Sequence, residues 1–315
     1  MTTTLQRPPT ETPRLNVRGR SRQRRENLIG YAFMTPWFLG FVFIIGGPVI
    51  VSLYLSFTDY AVIGKTHWVG LENYFKMFTK DPRFWASLRV TLVYLLISVP
   101  LVQVFALFLA NMLNRGIRGL PIYRALFYVP SLIGGSVAIA ILWRFIFEGD
   151  GLLNGLLKTL GLPADHSWIG TPSTALSTLI VLNIWQFGAA MIIYLAGLKN
   201  IPVELYEAAR VDGARSWRQF RSITLPMLSP VIFFNVLMNV VAAFQAFNSA
   251  YVVSNGTGGP ADSTLFYTLY LYQRGFVDFD MGYASALGWI LLIISGAVAA
   301  LLYTLSRRVV FYGDE

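Results

Sequence analysis

The side chains of this chain that could do chemistry are few, and most of them are amides. Asn183, Gln186 and Tyr194 fall within about an 80° arc when plotted at roughly 100° per residue, with Trp185 on a different face. Asn235, Asn239, Gln245 and Ser249 span about 120° on the same reckoning. Neutral, hydroxyl-rich ligands such as sugars are held by amides beside aromatic rings, so both stripes are candidates for lining a substrate pathway. The same groups could instead hydrogen-bond across helices as glue. Other chemistries are absent. The two histidines, His67 and His166, lie far apart without further ligands at metal spacing, so no metal site is expected. Cysteine is missing, which excludes disulfides and thiolate catalysis. No His, Asp or Glu lies deep in an apolar run, so neither a proton relay nor a buried catalytic acid is expected. There is no G-x-x-x-x-G-K-[ST] phosphate loop, since the run from Asn255 to Gly259 lacks the lysine and the hydroxyl after it. The chain does not read as an enzyme.

The elements that must position these residues are set by composition. The 315 residues are 55% hydrophobic and only 13% charged, with a mean hydropathy of +0.55, a balance typical of membrane proteins. Apolar stretches of about 20 residues can cross a hydrocarbon core of about 30 Å. Six occur, at 29–57, 90–113, 125–147, 173–198, 225–253 and 281–305. An all-α integral membrane protein with six transmembrane helices is expected. Pro36, Gly46-Gly47-Pro48, Pro100, Pro130, Gly134-Gly135 and Pro230 interrupt these runs and favour a bundle around a pathway over a simple anchor. Arg144, near the end of its span, is expected to extend its charge to the interface.

Basic residues set the orientation. Arg7 to Arg25, Arg115, Arg118, Arg124, the loop after the fourth span and Arg307-Arg308 all fall on one side. The positive-inside bias then puts both termini in the cytoplasm. The tail 1–28, basic and carrying Pro8, Pro9 and Pro13, is expected to be disordered. Its place before a span favours a topology signal or anionic-lipid contact over nucleic acid. A short cytoplasmic tail, 307–315, closes the chain around the six-span domain 29–306.

The 199–226 segment, between the fourth and fifth spans, encodes two short helices and a turn. Pro202 suits a first helical position, and Glu204 and Glu207 sit where the helix dipole favours carboxylates. Gly213 is placed to end that helix in a left-handed conformation, and Ser216 with Gln219 has the spacing of a capping box. Small Ala208, Ala209 and Ala214 beside acidic Glu207 and Asp212 suit a docking surface. A solvated amphipathic loop whose arginines obey the positive-inside rule is the alternative.

Glu207-Ala208-Ala209, then Asp212-Gly213-Ala214, then Phe220, Ile223, Leu225 and Pro226, resembles the "EAA" loop of ABC importer permeases. Similar to the maltose-type and glycerol-phosphate-type group of that superfamily are also Pro48 with Ser52, 56–60, 68–74, Gly258-Gly259-Pro260 through Thr264, and 282–286. The resemblance covers roughly residues 30 to 310. One departure is that 252–257 is slightly longer than the family's usual turn. The resemblance implies a type I ABC importer-like permease fold in a bacterial plasma (inner) membrane, importing a mono- or oligosaccharide. It implies a sister permease forming a heterodimer, two cytoplasmic ATPase subunits carrying ATP and Mg, and an extracytoplasmic sugar-binding protein. It makes Glu204, Glu207, Ala208, Ala209, Asp212, Gly213, Ala214, Phe220, Leu225 and Pro226 the residues of ATPase coupling. This chain itself would hold no cofactor. A polyol-phosphate importer permease and an ATP-independent channel or scaffold are the alternatives.

Overall fold

The computed structural model describes residues 18–310 except Ile63, Arg115, Ile117 and Arg118; the remaining tail residues lie outside it. The chain divides between Tyr54 and Leu55 into two units. The first is helix α1 (Arg18–Gly40), which passes through a π-helical stretch, Phe41–Gly46, into α2 (Gly47–Leu55). The wide stretch lies just before Pro48, whose missing N–H cannot close an ordinary helical bond. Phe33, Phe43 and Ile44 are exposed, as befits a lipid-facing helix. Because α1 begins at Arg18, residues 18–28 of the basic tail are helical, contrary to the disorder expected from composition. Residues 1–17 of that tail lie outside the described residues.

The second unit holds α3 (Glu72–Thr79), α4 (Pro82–Leu113), α5 (Leu120–Ile133), α6 (Val137–Phe147), α7 (Leu152–Thr159), α8 (Pro172–Trp185) and α9 (Gly188–Lys199). It continues with α10 (Val203–Val211), α11 (Ser216–Gln219), α12 (Leu225–Phe244), α13 (Asn248–Val253), α14 (Tyr267–Tyr272) and α15 (Met281–Val309). Two isolated bridges apart, no strand forms among the described residues. Helix α15 runs to Val309, so the start of the expected C-terminal tail is helical.

Helix α4 organises this unit. Asp81 caps it, accepting from the N–H groups of Arg83 (3.0 Å) and Phe84 (3.1 Å), and Pro82 supplies a first residue that needs no donor. Its 32 residues rise about 48 Å, more than the hydrocarbon core requires. It packs against α8, α9, α12 and α14. Two apolar clusters lie along it. Phe84, Tyr94, Leu95 and Val99 meet Leu179, Phe244, Phe266 and Tyr267, while Val102, Ala106, Ala110 and Leu113 meet Met191, Leu195 and Leu228. The segment 254–280, which reads as an outer loop, contributes Leu265, Phe266, Tyr267 and Tyr270 to the first cluster and is therefore part of the core.

Three of the expected spans are not continuous helices. The third breaks at Gly134–Ser136, and the segment 137–159 turns 97° away from α5. The fourth breaks at Gln186–Phe187 with a 41° bend between α8 and α9. The fifth ends at Phe244 and restarts at Asn248 as α13. Among the described residues four helices are long and apolar enough to cross a membrane, and counting each bent pair as one span brings these to the expected six.

Helix α5 lies against α9 through backbone. A Cβ on Gly188 would sit 2.1 Å from the Phe127 carbonyl oxygen and 2.8 Å from Tyr128 Cα, so only glycine permits this crossing. Gly188→Val should force the helices apart at a cost of about 1–3 kcal/mol. Thermal unfolding in detergent should show a lowered Tm, while Gly296→Ala, whose added Cβ meets nothing within 4 Å, should leave Tm unchanged or raise it slightly.

Candidate functional site

The three interruptions meet. A cavity of about 240 Å³ is lined by Gly134, Gly135 and Ser136 from the third span, Asn183 and Gln186 from the fourth, and 245–249 from the fifth, with Tyr94 of α4. Its size is below the roughly 300 Å³ of ordinary ligand sites. The backbone at each break is partly satisfied locally. Ser136 Oγ accepts from Ile139 N–H (3.3 Å), Asn248 Nδ2 donates to the Gly135 carbonyl (3.4 Å), and Gln186 Nε2 donates to the Leu182 carbonyl (3.2 Å). A Cβ on Gly134 would lie 2.3 Å from Gln186 Cδ, so glycine there makes room for the amide. Among the described residues, no charged side chain lines the cavity.

Of the amide stripes, Asn183, Gln186, Gln245 and Ser249 reach this cavity. Tyr194, Asn235 and Asn239 do not line it. Tyr194, fully buried, donates its hydroxyl to Gln103 Oε1, whose Nε2 donates to the Asn235 carbonyl (3.4 Å), and Asn239 Nδ2 donates to the same carbonyl (2.9 Å). Tyr194 and Gln103 thereby tie α9, α4 and α12 together as interhelical glue, whereas the Asn239 bond lies within α12. The cause is the break itself: a continuous wheel puts Tyr194 in line with Asn183, but the bend at Gln186–Phe187 resets the phase. Tyr94, Ser136, Asn248 and Gln103 were not singled out from the sequence; the available signal was an amide, Gln103, near the middle of a mostly apolar run.

At the opposite end of the bundle from α10, Asp81 carries a second polar assembly. Its Oδ2 accepts from the hydroxyls of Tyr270 and Tyr283, joining α4 to α14 and α15. Arg83 forms a two-pronged pair with Asp262 (3.1 and 2.9 Å), and Arg274 pairs with Asp278 (2.9 Å) while lying 5.0 Å from the Tyr283 ring centroid. Burial alone would raise the Asp81 carboxyl. The two tyrosine hydroxyls, the Phe84 N–H and the Arg274 charge together outweigh it and hold the group below its ordinary range. Burial, then the Asp81 carboxylate, push Tyr270 upward, so it stays a donor. Arg144 is held by Asn255 Oδ1 and Glu148 (3.9 Å), a specific tie where free extension to the interface was expected.

The 203–226 segment is a helix–turn–helix. Gly213, at φ +74°, ends α10 in a Schellman arrangement: Gly213 N–H donates to the Arg210 carbonyl (3.0 Å) and Ala214 N–H to that of Ala209 (2.8 Å). The expected capping box is not formed. Arg215, extended at ψ 161°, is the N-cap, and Gln219 Nε2 donates backward to the Ala214 carbonyl (2.8 Å) instead of returning to Ser216. Glu204, Glu207, Ala208, Asp212 and Gly213 are exposed; Ala209, Ala214, Phe220, Leu225 and Pro226 are half-buried. Val211 is 89% exposed, so α10 offers apolar as well as acidic surface. Tyr206 and Thr224 hydroxyls, 2.9 Å apart, fasten α10 to the root of α12.

A polytopic bundle whose broken spans enclose a neutral polar cavity defines a membrane permease. Residues 104–311 match the family described as "Binding-protein-dependent transport system inner membrane component", and the chain belongs to that family. It is 50% identical over 292 residues to the probable ABC transporter permease protein YesP of Bacillus subtilis, covering 93% of this chain and 94% of the relative. It is 32% identical to the lactose transport system permease protein LacF of Rhizobium radiobacter, covering 91% and 97%. Among solved structures, a chain of the bacterial alginate ABC transporter in complex with alginate pentasaccharide-bound periplasmic protein superposes with a TM-score of 0.78. It is 23% identical, with 91% of this chain and 96% of that one covered, and establishes the importer-permease fold.

Replacing Asp81 by Asn leaves two buried tyrosine hydroxyls without their charged acceptor and should cost about 1–3 kcal/mol. Because the folded carboxyl lies below its ordinary value, its contribution is complete at neutral pH and is lost only as pH falls through the depressed value. Thermal unfolding should therefore show a lower Tm for Asp81→Asn at neutral and mildly acidic pH, with the gap closing only in strong acid. Equal Tm values at neutral pH would contradict this tie.

Proposed function

We propose that this chain is one of two permease subunits that import a neutral carbohydrate across a bacterial plasma membrane, driven by ATP hydrolysis on separate cytoplasmic subunits. The observation that carries the substrate class is the cavity where the three broken spans meet. It offers amides, hydroxyls and the Tyr94 ring and carries no charge, which suits the hydroxyls and C–H faces of a sugar. The names of relatives point the same way: lactose for LacF and arabinooligosaccharides for AraP of Bacillus subtilis, which is 33% identical over 284 residues. A polyol phosphate is less well served, because among the described residues no Lys or Arg lines the cavity to meet a phosphate.

In this reading the termini and α10 face the cytoplasm, in line with the placement of the basic residues. An ATPase subunit, with its ATP and Mg, docks on α10 and α11. Glu204, Glu207 and Asp212 set the register, Ala208, Ala209 and Ala214 allow close approach, and exposed Val211 supplies apolar contact. Force applied there passes to α12 through the Tyr206–Thr224 contact and the unbroken helical path from Ser216 through Phe220, Leu225 and Pro226, reaching the cavity at Gln245. A sister permease completes the pathway, and an extracytoplasmic sugar-binding protein delivers the substrate. An ATP-independent channel would leave the exposed acidic and apolar surface of α10 without a purpose.

Glu207→Lys reverses the charge on the exposed face of α10 without touching a buried group. ATP-dependent sugar uptake by vesicles containing the reconstituted complex should be lost while membrane insertion and Tm are retained. Undiminished uptake would overturn the docking assignment.

A further inference from the structure

Helix α7 has one face accounted for and one face left over. Asn154 is fully buried: its Nδ2 donates to the Gly149 and His166 carbonyls (both 2.8 Å), and its Oδ1 accepts from Trp168 Nε1 (2.8 Å). These bonds close the 149–168 segment over that side of the helix and fix its rotation. On the other side Leu152, Leu156 and Leu160 are 70%, 58% and 65% exposed, and Leu162 just beyond is 51% exposed. At roughly 100° per residue the first three fall within about an 80° arc. Lys158 lies away from that arc, toward the side of Asn154.

Three observations say what covers the stripe. The first is depth. Helix α5 has 14 residues and rises about 21 Å, short of a hydrocarbon core of about 30 Å, so its C-terminal end lies in the leaflet away from α10. The second is direction. The segment 137–159 turns 97° from the α5 axis, so it runs closer to the membrane plane than to the normal as it approaches the far interface. The third is continuity. Leu132 of α5 and Leu142 and Phe145 of α6, in the apolar run of the third span, are exposed as well, and α7 packs directly on α6. The stripe is purely aliphatic. Protein interfaces are enriched in Tyr, Trp and Arg, whereas fluid acyl chains need only apolar surface.

We propose that α7 lies in the bilayer interface of the leaflet opposite α10, with Leu152, Leu156, Leu160 and Leu162 in the acyl region and Lys158 among the headgroups. The lipid surface is the partner. Asn154 holds the helix at the rotation that presents this face. The helix then acts as a foot that fixes the height of the 148–171 segment above the membrane.

This chain has no native cysteine, so each variant can be purified and spin-labelled at one site before the complex is assembled. Leu152→Cys, Leu156→Cys, Leu160→Cys and, as a control, Lys158→Cys are labelled, and the complex is then reconstituted in phosphatidylglycerol–phosphatidylethanolamine nanodiscs. Collisions with oxygen, which concentrates in lipid, and with a water-soluble nickel chelate are then compared by electron paramagnetic resonance. The oxygen-to-nickel ratio at the three leucine positions should exceed that at Lys158 several-fold. Equal ratios would overturn the proposal by placing α7 in water. Immobile labels shielded from both reagents would overturn it by placing a protein there. Transport is not part of the readout, so failure here is distinct from failure of the carbohydrate reading.

Discussion

A bilayer core offers no water to an unpaired backbone amide, so irregular backbone survives at membrane depth only beside protein or a polar cavity. That constraint governs this molecule. Its third, fourth and fifth spans each break, and all three breaks border one small polar cavity. There Asn248 reaches the Gly135 carbonyl and Gln186 fills the space that Gly134 leaves open. The amides therefore serve the fold by satisfying broken backbone, and by the same placement they provide groups able to receive hydroxyls from a ligand.

Around this centre, α4 is the fixed post. One end is capped by Asp81, which also gathers Tyr270 and Tyr283 from elements much later in the chain, and its middle is pinned through Gln103 to Tyr194 and the Asn235 carbonyl. The elements with breaks lean on this post while retaining bends of their own. The α10–α11 hairpin is fastened to α12, and its Ser216 and Trp217 share a cleft with Val104, Leu107 and Phe108 of α4. A continuous helix from Ser216 to Phe244 joins the hairpin to the cavity wall at Gln245.

Much of this was legible in the sequence, and the failures have physical causes. The six apolar runs, the turn at Gly213 and the break at Gly134-Gly135 follow from composition and from glycine's conformational freedom. The break at Gln245 carries no glycine or proline, and at Gln186–Phe187 a single glycine, Gly188, follows the break without a proline beside it, so periodicity ran straight through both and put Tyr194 in the wrong company. Asp81 looks like any loop carboxylate until residues 189 and 202 positions away close over it. Ser216 and Gln219 have the spacing of a capping box, yet Arg215 takes the cap and the helix widens into a π stretch at Phe220–Thr224, so local pattern lost to the geometry of the turn. The segment 254–280 looked like an outer loop because its aromatic residues show no helical period long enough to mark a core.

The proposed carbohydrate site requires that the cavity where the three breaks meet be open to water from one side of the membrane. Ser136→Cys and Ser249→Cys place single thiols on two of the broken spans, and Leu142→Cys places one on an exposed apolar position. Their rates of reaction with a charged, water-soluble maleimide in membrane vesicles test the claim most directly. Both serine positions should react readily and Leu142→Cys hardly at all; serine-position thiols as inert as the one at Leu142 would contradict it.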